Sequence, residues 1–576
     1  MKNVKNLFGM AVMATALVGC SSNDNLNPNP NDNAGKAGEA YAKFTIQLPT
    51  VSGTRADDPK PGTPSFEGGT PNEYAVNDAQ LLIFEKTPTS SSEGDYKFVE
   101  TVNIGNLEPW TNNTPNTGVT RYANITAKLN GVSIDKIGGK YYALVILNNA
   151  GESKVKLPTS GTYSEWNVAA KVKGAADFLY SDNGFYMANA PLYSTGEPTT
   201  LVPIKGVYST KEEAQTKTAT TVYVERGMAK VTVNGSDFKI DDASSIYNTD
   251  KVKINNWTLD VLNKSTFPVH VTTGLKTDFD AIWTTPRFVA TGSTPQRVYW
   301  GIDPNYDKST LTTVSACQDE FYIVDNNGKT YNGDPSSTFT WSANTTPLYC
   351  LENTFDLDNM KQGQTTRVVF KATYTPHNLT GTDKTFFMIG NNTQIWTKNA
   401  LVEQITSKAK EMRNSTAVVV TIKTDAPLLK GGSHLLSADD VTITDGTDIT
   451  ATFDYATLNT KLGLNNTETD ANGNPKVGIK TYENGECYYI ARIKHFNELT
   501  PWTSGQTYGT DNATFLGRYG VLRNNWYDLR VSKISAPGYP DVPVVDPKTP
   551  DDEDTKFINV EVKILDWAKR TQDVQL

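Results

Sequence analysis

Two stretches near opposite ends of the chain alternate between apolar and polar residues. In residues 41–48 the apolar positions are Ala42, Phe44, Ile46 and Leu48. In residues 557–576 they are Ile558, Val560, Val562 and Ile564, and Trp567 follows. The side chains of a strand point alternately to its two faces. Each stretch therefore predicts a β-strand that directs four apolar side chains into a core.

Most other apolar segments also predict short strands, separated by turn signals such as NNGK, DANGNP and ENGE. They lie at 79–84, 141–147, 222–233, 252–262, 366–374, 417–423, 487–494 and 527–534. The strands do not alternate regularly with helices, so we predict an all-β chain of sandwiches rather than a βαβ fold. One helix is predicted at 399–414, packed on a sheet, and its apolar face comprises Leu401, Val402, Ile405, Ala409 and Met412.

The N-terminus has the pattern of an export signal. Lys2 and Lys5 precede an apolar segment too short to span a bilayer, so 1–19 is predicted to be a signal peptide. The residues that end at Cys20 resemble a lipobox, which implies cleavage before Cys20 and acylation of that residue. An ordinary signal peptide followed by an incidental cysteine is the alternative. The polar residues after Cys20 predict a tether.

Export permits disulfides, but only three further cysteines remain: Cys317, Cys350 and Cys487. At most one intramolecular bond can form, for which Cys317 and Cys350 are candidates, and three buried thiols are the favoured prediction.

Length and charge limit the organisation of the chain. A chain of 576 residues predicts two or three domains. We place a boundary near Glu225, which gives an N-terminal β-domain at 56–225 and a larger one at 226–535. Residues 536–556, rich in Pro and Asp, predict an extended, solvated linker to the C-terminal strand. The net charge of −9, without a basic stripe, argues against a nucleic-acid partner.

No pattern of catalytic residues emerges, and we predict neither an enzyme nor a cofactor. The four histidines, His270, His377, His434 and His495, do not form a spaced metal motif. Aspartate-rich turns at 303–307, 445–448 and 470–473 lack the spacing of an EF-hand and are predicted to be ordinary turns rather than calcium sites. Because Asp and Glu residues are plentiful, their number does not exclude a pair of catalytic carboxylates of the glycosidase type.

Arg55 is the first arginine of the chain and lies in a segment without apolar periodicity, which predicts exposure to proteases. A cut between Arg55 and Ala56 would free residues 20–55 together with the strand at 41–48. The groove left behind offers an unpaired sheet edge and four vacant apolar sites. The C-terminal strand of another copy fits that groove. Because such head-to-tail addition does not close, it predicts a filament.

Several stretches, in their order along the chain, resemble fimbrilins of the FimA type, including the minor fimbrium subunit. They are YYALVILNN (141–149), FYMANAP (185–191), VYVERGMAKVTV (222–233), VLRNNWYDLRVSKI (521–534) and the tail 557–576. The resemblance implies two transthyretin-like β-sandwich domains with short helices in the connections. It also implies lipidation at Cys20, cleavage at Arg55-Ala56 by an Arg-specific protease, and polymerisation through the C-terminal donor strand. Residues of about 290–480 carry no such motif.

The favoured interpretation is a structural stalk subunit of a surface fimbria, exported as an outer-membrane lipoprotein precursor. Its partners would be further copies of itself and the anchor and tip subunits, and its role would be adhesion and biofilm formation. The alternative is a permanently anchored surface lipoprotein that binds a glycan or another ligand. Trp110, Trp166, Trp257 and Trp341 would be its candidate stacking platforms, although packing explains most tryptophans equally well.

Overall fold

The structure is a computed structural model of the whole chain. It describes residues 39–49, 70–107, 111–112, 119–149, 154–174, 184–193, 196–275, 296–446, 452–471, 473, 475–496, 515–551 and 558–566. Side chains are not described in β30, which is defined below, nor at a few other strand positions.

Strands dominate the described residues. They are β1 (Ala40–Pro49), β2 (Ala79–Glu85), β3 (Lys97–Gly105), β4 (Thr111–Asn112), β5 (Val119–Leu129), β6 (Tyr141–Leu147), β7 (Val172–Lys173), β8 (Met187–Asn189), β9 (Leu192–Tyr193), β10 (Val202–Pro203), β11 (Thr220–Arg226), β12 (Ala229–Asn234), β13 (Asp237–Lys239), β14 (Lys251–Asp260), β15 (Leu262–Asn263), β16 (Ser265–Thr266), β17 (Gln296–Arg297), β18 (Phe321–Tyr322), β19 (Leu348–Cys350), β20 (Arg367–Thr375), β21 (Phe386–Ile389), β22 (Val418–Ile422), β23 (Gly432–His434), β24 (Val441–Asp445), β25 (Asn465–Thr469), β26 (Pro475–Val477), β27 (Ile479–Tyr482), β28 (Glu486–Arg492), β29 (Asn525–Ile534) and β30 (Ile558–Asp566).

The helices are short, with one exception. They are α1 (Pro71–Tyr74), α2 (Tyr163–Ala169), α3 (Lys211–Gln215), α4 (Val314–Glu320), α5 (Lys398–Arg413) and α6 (Tyr455–Lys461). Short 3-10 helices occupy Glu93–Asp95, Leu357–Asn359, Pro427–Leu429 and Glu483–Gly485. The all-β prediction is confirmed.

The first core belongs to a nine-stranded sheet in which the strands follow the order β3-β2-β6-β8-β11-β1-β5-β4, with β10 attached to β6. β11 joins two parts of this sheet, because its residues from Thr220 to Tyr223 pair with β1 while those from Val224 to Arg226 pair with β8. Both parts contribute to one apolar cluster, in which Phe44 of β1 lies with Leu82 of β2.

Local alternation located most strands within two residues at each end, and 141–147 coincides with β6. The predicted strand at 222–233 is two strands, β11 and β12, separated by Gly227 and Met228. Met228 packs in the first core, whereas Ala229 packs in the second. The chain therefore passes from one core to the next inside this apolar run. The domain limits 56–225 and 226–535 remain predictions.

Two four-stranded sheets enclose the second core. Their orders are β19-β12-β29-β30 and β13-β14-β20-β28. Leu529 of the first sheet and Phe370 of the second lie in the same buried cluster. A separate cluster forms around the helix α5, whose Leu401, Ile405 and Ala409 are buried beside β22, and Val402 and Met412 are partly buried there. This helix ends one residue before its predicted limit and carries the predicted apolar face.

Two of the segments that carry the resemblance, 222–233 and 521–534, meet where the two cores join. Lys230 Nζ lies 2.7 Å from Glu73 Oε1, and both side chains are buried. Arg226 donates from Nε to the carbonyl oxygen of Glu73, and from Nη1 to Asn524 Oδ1. Charged residues of the first segment therefore bind Glu73 of α1 and Asn524 of the second segment at the junction.

The sequence predicts an extended, solvated linker at 536–556, and this prediction is wrong as far as Asp551. Val542, Val545 and Asp551 are buried. Tyr539 and Tyr488 exchange two backbone hydrogen bonds of 2.8 Å, and Thr365 Oγ1 donates to Asp551 Oδ2 over 3.0 Å. The composition of the segment is that of a linker, but its two spaced valines enter small apolar clusters on the second domain.

Cys317, Cys350 and Cys487 are free and buried, as favoured from the sequence. Burial raises the pKa of each thiol to about 12, so these cysteines behave as small apolar residues. Among the described residues, none of the helices combines the length and apolarity required to cross a membrane.

Candidate assembly site

The predicted removable strand, β1, lies in the interior of its sheet. On one side it pairs antiparallel with β5 along its whole length, from Ala40 opposite Leu129 to Pro49 opposite Val119. On the other side it pairs in parallel with β11, from Phe44 opposite Thr220 to Gln47 opposite Tyr223. Its removal would therefore leave a slot with hydrogen-bonding backbone on two sides.

The inner face of β1 fills the first core as the alternation predicts. Ala42, Phe44 and Ile46 are fully buried and Leu48 is 2% exposed. These side chains belong to the same cluster as those of β2 and β6. The four positions are thus core positions, and their loss would expose an apolar trough.

The outer face of β1 is covered at the start of the strand. Tyr41 packs with Tyr208 and Ala214 of α3 in a small buried cluster. Tyr41 and Tyr208 also exchange backbone hydrogen bonds of 2.7 and 2.8 Å. Next to this cluster, Lys128 Nζ lies 2.7 Å from Glu39 Oε1. The sequence pattern did not reveal this outer pocket, because the alternation identifies only one apolar face of β1, which comprises Ala42, Phe44, Ile46 and Leu48.

The proposed processing residues lie outside the described part of the chain. Cys20 falls within 1–38, and Arg55 and Ala56 fall within 50–69. The described residues on either side are Pro49, which ends β1, and Thr70, which caps α1. Any cut within 50–69 therefore breaks the covalent link between β1 and the rest of its sheet.

The C-terminal strand β30 pairs antiparallel with β29 of the same chain, from Ile558 opposite Ile534 to Asp566 opposite Asn525. It forms the end of its sheet, with β29 as its only neighbour among the described strands. The predicted donor residues Ile558, Val560, Val562 and Ile564 lie in this strand, and Trp567 falls outside the described residues.

The segment that follows residues 50–69 is held firmly at the junction of the two cores. Glu73 accepts hydrogen bonds from Lys230 and from Tyr349 Oη, the latter over 2.6 Å. Burial alone would raise the pKa of Glu73, but these hydrogen bonds outweigh it and hold the pKa below its ordinary value. The chain from Thr70 onward is therefore anchored independently of β1.

The aspartate-rich turns fold as turns where they are described. Asp303 is buried and accepts hydrogen bonds from Asn263 Nδ2, Asn305 N and Thr354 N. These donors occupy the carboxylate and leave it unsuited to a cation. Within the described ranges, His, Cys, Asp and Glu residues form no group of three that could hold a metal ion.

The histidines stay apart and have ordinary hydrogen-bond partners. His270 binds Glu225 and the carbonyl oxygen of Trp300, and His495 binds Tyr527 and the carbonyl oxygen of Tyr299. His377 binds Asp250, and His434 faces the carbonyl oxygens of Lys430 and Gly431.

The candidate stacking tryptophans are packing residues where they are described. Trp166 and Trp257 are buried and donate to the carbonyl oxygens of Lys156 and Ala343. Trp341 donates to Gly328 O and packs beside Phe339. Trp110 lies outside the described residues.

The chain is similar over much of its length to several solved structures. These include a fimbrilin from Porphyromonas gingivalis W83, with 11% identity, a TM-score of 0.38, and coverage of 92% of this chain and 98% of that one. They also include a putative cell adhesion protein from Bacteroides eggerthii, with 11% identity, a TM-score of 0.33, and coverage of 92% and 98%. The tip fimbrial protein Mfa3 from Porphyromonas gingivalis has 11% identity, a TM-score of 0.29, and coverage of 92% and 100%. No curated protein matches the chain.

A protein-family model gives a direct match at the C-terminal end. Residues 480–573 match the family described as major fimbrial subunit protein type IV, fimbrillin, C-terminal. The matched range contains β28, β29 and β30 together with the docked segment between the last two. This match confirms the resemblance to the fimbrilins for residues 480–573.

Proposed function

We propose that the protein is a stalk subunit of a bacterial surface fimbria whose copies join by exchanging strands. The match to the fimbrillin C-terminal family supports a fimbrial structural subunit with an adhesive role at the cell surface. The more specific proposal includes export as an outer-membrane lipoprotein acylated at Cys20. An Arg-specific protease then cuts after Arg55, and the C-terminal strand polymerises the subunits. Biofilm formation, and anchor and tip subunits as partners, belong to the same proposal.

The position of β1 carries this proposal. It is an interior strand with four core side chains, yet its covalent link to the rest of its sheet runs only through residues 50–69, where Arg55 lies. One cut turns β1 into a separate peptide held by noncovalent contacts alone. The four aliphatic side chains of the incoming strand are worth about 6–12 kcal/mol when buried, and the three large side chains of the resident strand are worth about 4.5–9 kcal/mol. The cut is therefore needed to make exchange possible.

The C-terminal strand has two possible positions, and it can form more backbone hydrogen bonds in the slot of another copy than at the edge of its own sheet. On its own chain, β30 is an edge strand with one neighbour, β29. In the slot of another copy it would have two neighbours, β5 and β11, as β1 has now. The strand gains a second backbone ladder when it moves, which favours the exchanged state even though β30 first leaves β29.

The second candidate function keeps β30 on its own chain. Pairing with β29 is the arrangement expected of a permanently anchored lipoprotein whose ligand is a glycan or another molecule. The tryptophans offered as stacking platforms for that ligand are engaged in packing wherever they are described. The packed tryptophans make this candidate the weaker of the two.

Removal of residues 557–576 tests the proposal. The truncated precursor should be exported, folded and cleaved, yet form no ladder of SDS-resistant oligomers in unheated samples. The wild type should form the ladder only after cleavage, and Arg55→Ala should remain as a lipid-anchored monomer. Filaments from the truncated protein would refute strand exchange. Recovery of the surface protein with acylated Cys20 at its N-terminus, rather than Ala56, would support the anchored alternative.

A further inference from the structure

The start of β1 lies at the end of the first domain that is remote from the second core. β11 runs from Thr220 to Arg226, and the chain enters the second core just after Arg226. Because β1 is parallel to β11, Pro49 lies toward the second core and Ala40 lies at the opposite end. The outer pocket of Tyr208 and Ala214 is at that remote end, since it holds Tyr41.

A strand that occupies the slot must satisfy two structural requirements of this outer pocket. Tyr208 and Ala214 are buried by Tyr41, so an aromatic or large apolar side chain is needed on the outer face. The backbone N–H and C=O of Tyr208 both bond to residue 41, so the strand must be paired there as well. Polar residues occupy the outer face further along β1, at Lys43, Thr45 and Gln47.

The C-terminal strand satisfies both requirements in one direction and register. Phe557 immediately precedes Ile558, the first of its four alternating apolar residues, just as Tyr41 precedes Ala42. We propose that the strand of a neighbouring copy fills the slot in the direction of β1, with Ile558 at the position of Ala42 and Phe557 anchored between Tyr208 and Ala214. This assignment rests on the proposed strand exchange and adds its direction, its register and its anchor.

Other arrangements place a carboxylate in the core. In the reversed direction Asp566 falls at the position of Ala40, which is 1% exposed, and Leu565 takes the place of Tyr41. In the same direction, a shift of two residues places Asp566 at the position of Leu48, which is 2% exposed. A buried carboxylate without a partner is strongly unfavourable. The proposed register instead places Lys556 at Ala40, where its long stem can carry the charge out of the slot mouth.

Charge at the slot mouth agrees with this direction. Lys128 is paired with Glu39, which leaves with the propeptide when the chain is cut after Arg55. The incoming strand is preceded by the acidic run Asp552, Glu553 and Asp554. In the proposed register Thr555 occupies the position of Glu39, so Asp554 is the next residue out. The acidic run then restores negative charge beside Lys128, while the reversed direction would bring Lys569 and Arg570 there.

Disulfide mapping in the assembled fibre tests direction and register. Thr126 of β5 is opposite Lys43 of β1, and opposed residues of an antiparallel pair are close enough for a disulfide. The precursor with Thr126→Cys is combined with a second cysteine at Asn559, Glu561 or Lys563, cut with an Arg-specific protease, and oxidised after assembly. The three native cysteines are buried thiols and should not compete.

The proposed register predicts intermolecular cross-links for Asn559→Cys. If Lys563→Cys forms the cross-link instead, the strand runs in the reversed direction. If Glu561→Cys forms it, the strand is shifted by two residues. Either result, or fibres that cross-link with none of the three, would overturn the assignment. Fibres from a subunit truncated of residues 557–576 would overturn strand exchange itself, so the two failures are distinguishable.

The anchor is tested separately with Phe557→Ala and the conservative variant Phe557→Tyr. We expect Phe557→Ala to slow assembly of cleaved subunits about tenfold, the effect of losing roughly one anchoring side chain, and Phe557→Tyr to assemble like the wild type. Both precursors should unfold at the wild-type temperature, which shows that folding is unaffected. Wild-type assembly by Phe557→Ala would remove the anchor from the assignment.

Discussion

Lys230 and Glu73 form a buried ion pair, with 2.7 Å between Nζ and Oε1, that ties α1 to the second core. Lys230 Nζ also lies 3.8 Å from the ring centroid of Trp526. The pair secures the first described residues after the proposed cut, so loss of β1 need not loosen the rest of the first domain. Cleavage can then open one slot in an otherwise intact subunit.

Glu73→Gln should lower the free energy of unfolding by about 3–5 kcal/mol, because it leaves the Lys230 ammonium buried without its carboxylate. Urea unfolding measures this loss. The matched control is Glu213→Gln, which breaks the exposed pair of Glu213 with Lys136 and should cost no more than about 1 kcal/mol. Equal effects of the two variants would mean that the buried pair contributes little to the junction.

The Glu73 contribution should also depend on pH. The pKa of Glu73 in the folded protein is below its ordinary value, so the stabilisation is present above the unfolded pKa and is lost as the pH falls through the folded one. Wild type and Glu73→Gln should therefore converge in stability as the pH is lowered below about 4.5. A constant difference down to the acid-unfolding range would contradict the ionised pair.

Phe44→Ala should destabilise the uncut precursor by about 3–5 kcal/mol, because Phe44 is fully buried in the first core. After cleavage the same change should speed release of the 20–55 peptide, measured by mass spectrometry as its loss from the isolated cleaved subunit. Gln47→Ala, on the other face of β1, is the control and should have a small effect. If Phe44→Ala leaves the stability of the precursor unchanged, the strand is not part of the core.

Val562→Asp should abolish or strongly reduce assembly, because the proposed strand exchange would place this residue in the apolar trough of the next subunit. Lys563→Asp introduces the same side chain one residue later, on the other face, and should assemble. The comparison is made by counting oligomers in unheated gels after cleavage. Similar assembly by both variants would show that the strand does not enter a core with this alternation.

The docked segment before β30 should loosen as the pH rises. Burial raises the pKa of Asp541 to about 6, and Asp470 adds to this effect. The folded protein therefore holds this proton more tightly than the unfolded chain, so the contribution is present at low pH and is lost as the pH rises through about 6.

The stability advantage of Asp541→Asn over the wild type should accordingly grow as the pH rises from the ordinary pKa of 3.8 to about 6, and then level off. Urea unfolding at several pH values measures it. Asp546→Asn, in the same segment, is the control, and its difference from the wild type should not follow this profile. A pH-independent difference for Asp541→Asn would show that folding does not raise the pKa of Asp541.

Local periodicity located the elements of this chain well. Strand alternation predicted β6 to the residue and assigned Ala42, Phe44, Ile46 and Leu48 to the inner face of β1. Helical periodicity identified the buried face of α5. These predictions succeed because the side chains of a strand or helix follow the geometry of the backbone over a few residues.

The docked segment and the charged residues of β11 and β12 were beyond the reach of such patterns. Val542 and Val545 lie in a Pro- and Asp-rich context that is typical of linkers, and only their contacts with distant parts of the second domain bury them. Glu225, Arg226 and Lys230 look unsuited to buried strands until their partners appear from elsewhere in the chain. Partner identity is a non-local property, so composition cannot supply it.

By itself, the sequence determined that the two ends of this chain are strands with four apolar residues on one face, since alternation depends only on neighbouring residues. The tertiary structure decided that β1 lies inside a sheet, parallel to β11, with Tyr41 in a pocket on its outer face. It also decided that β30 rests at a sheet edge beside β29. Strand order and pocket shape depend on contacts between residues far apart in the chain, which no local pattern encodes.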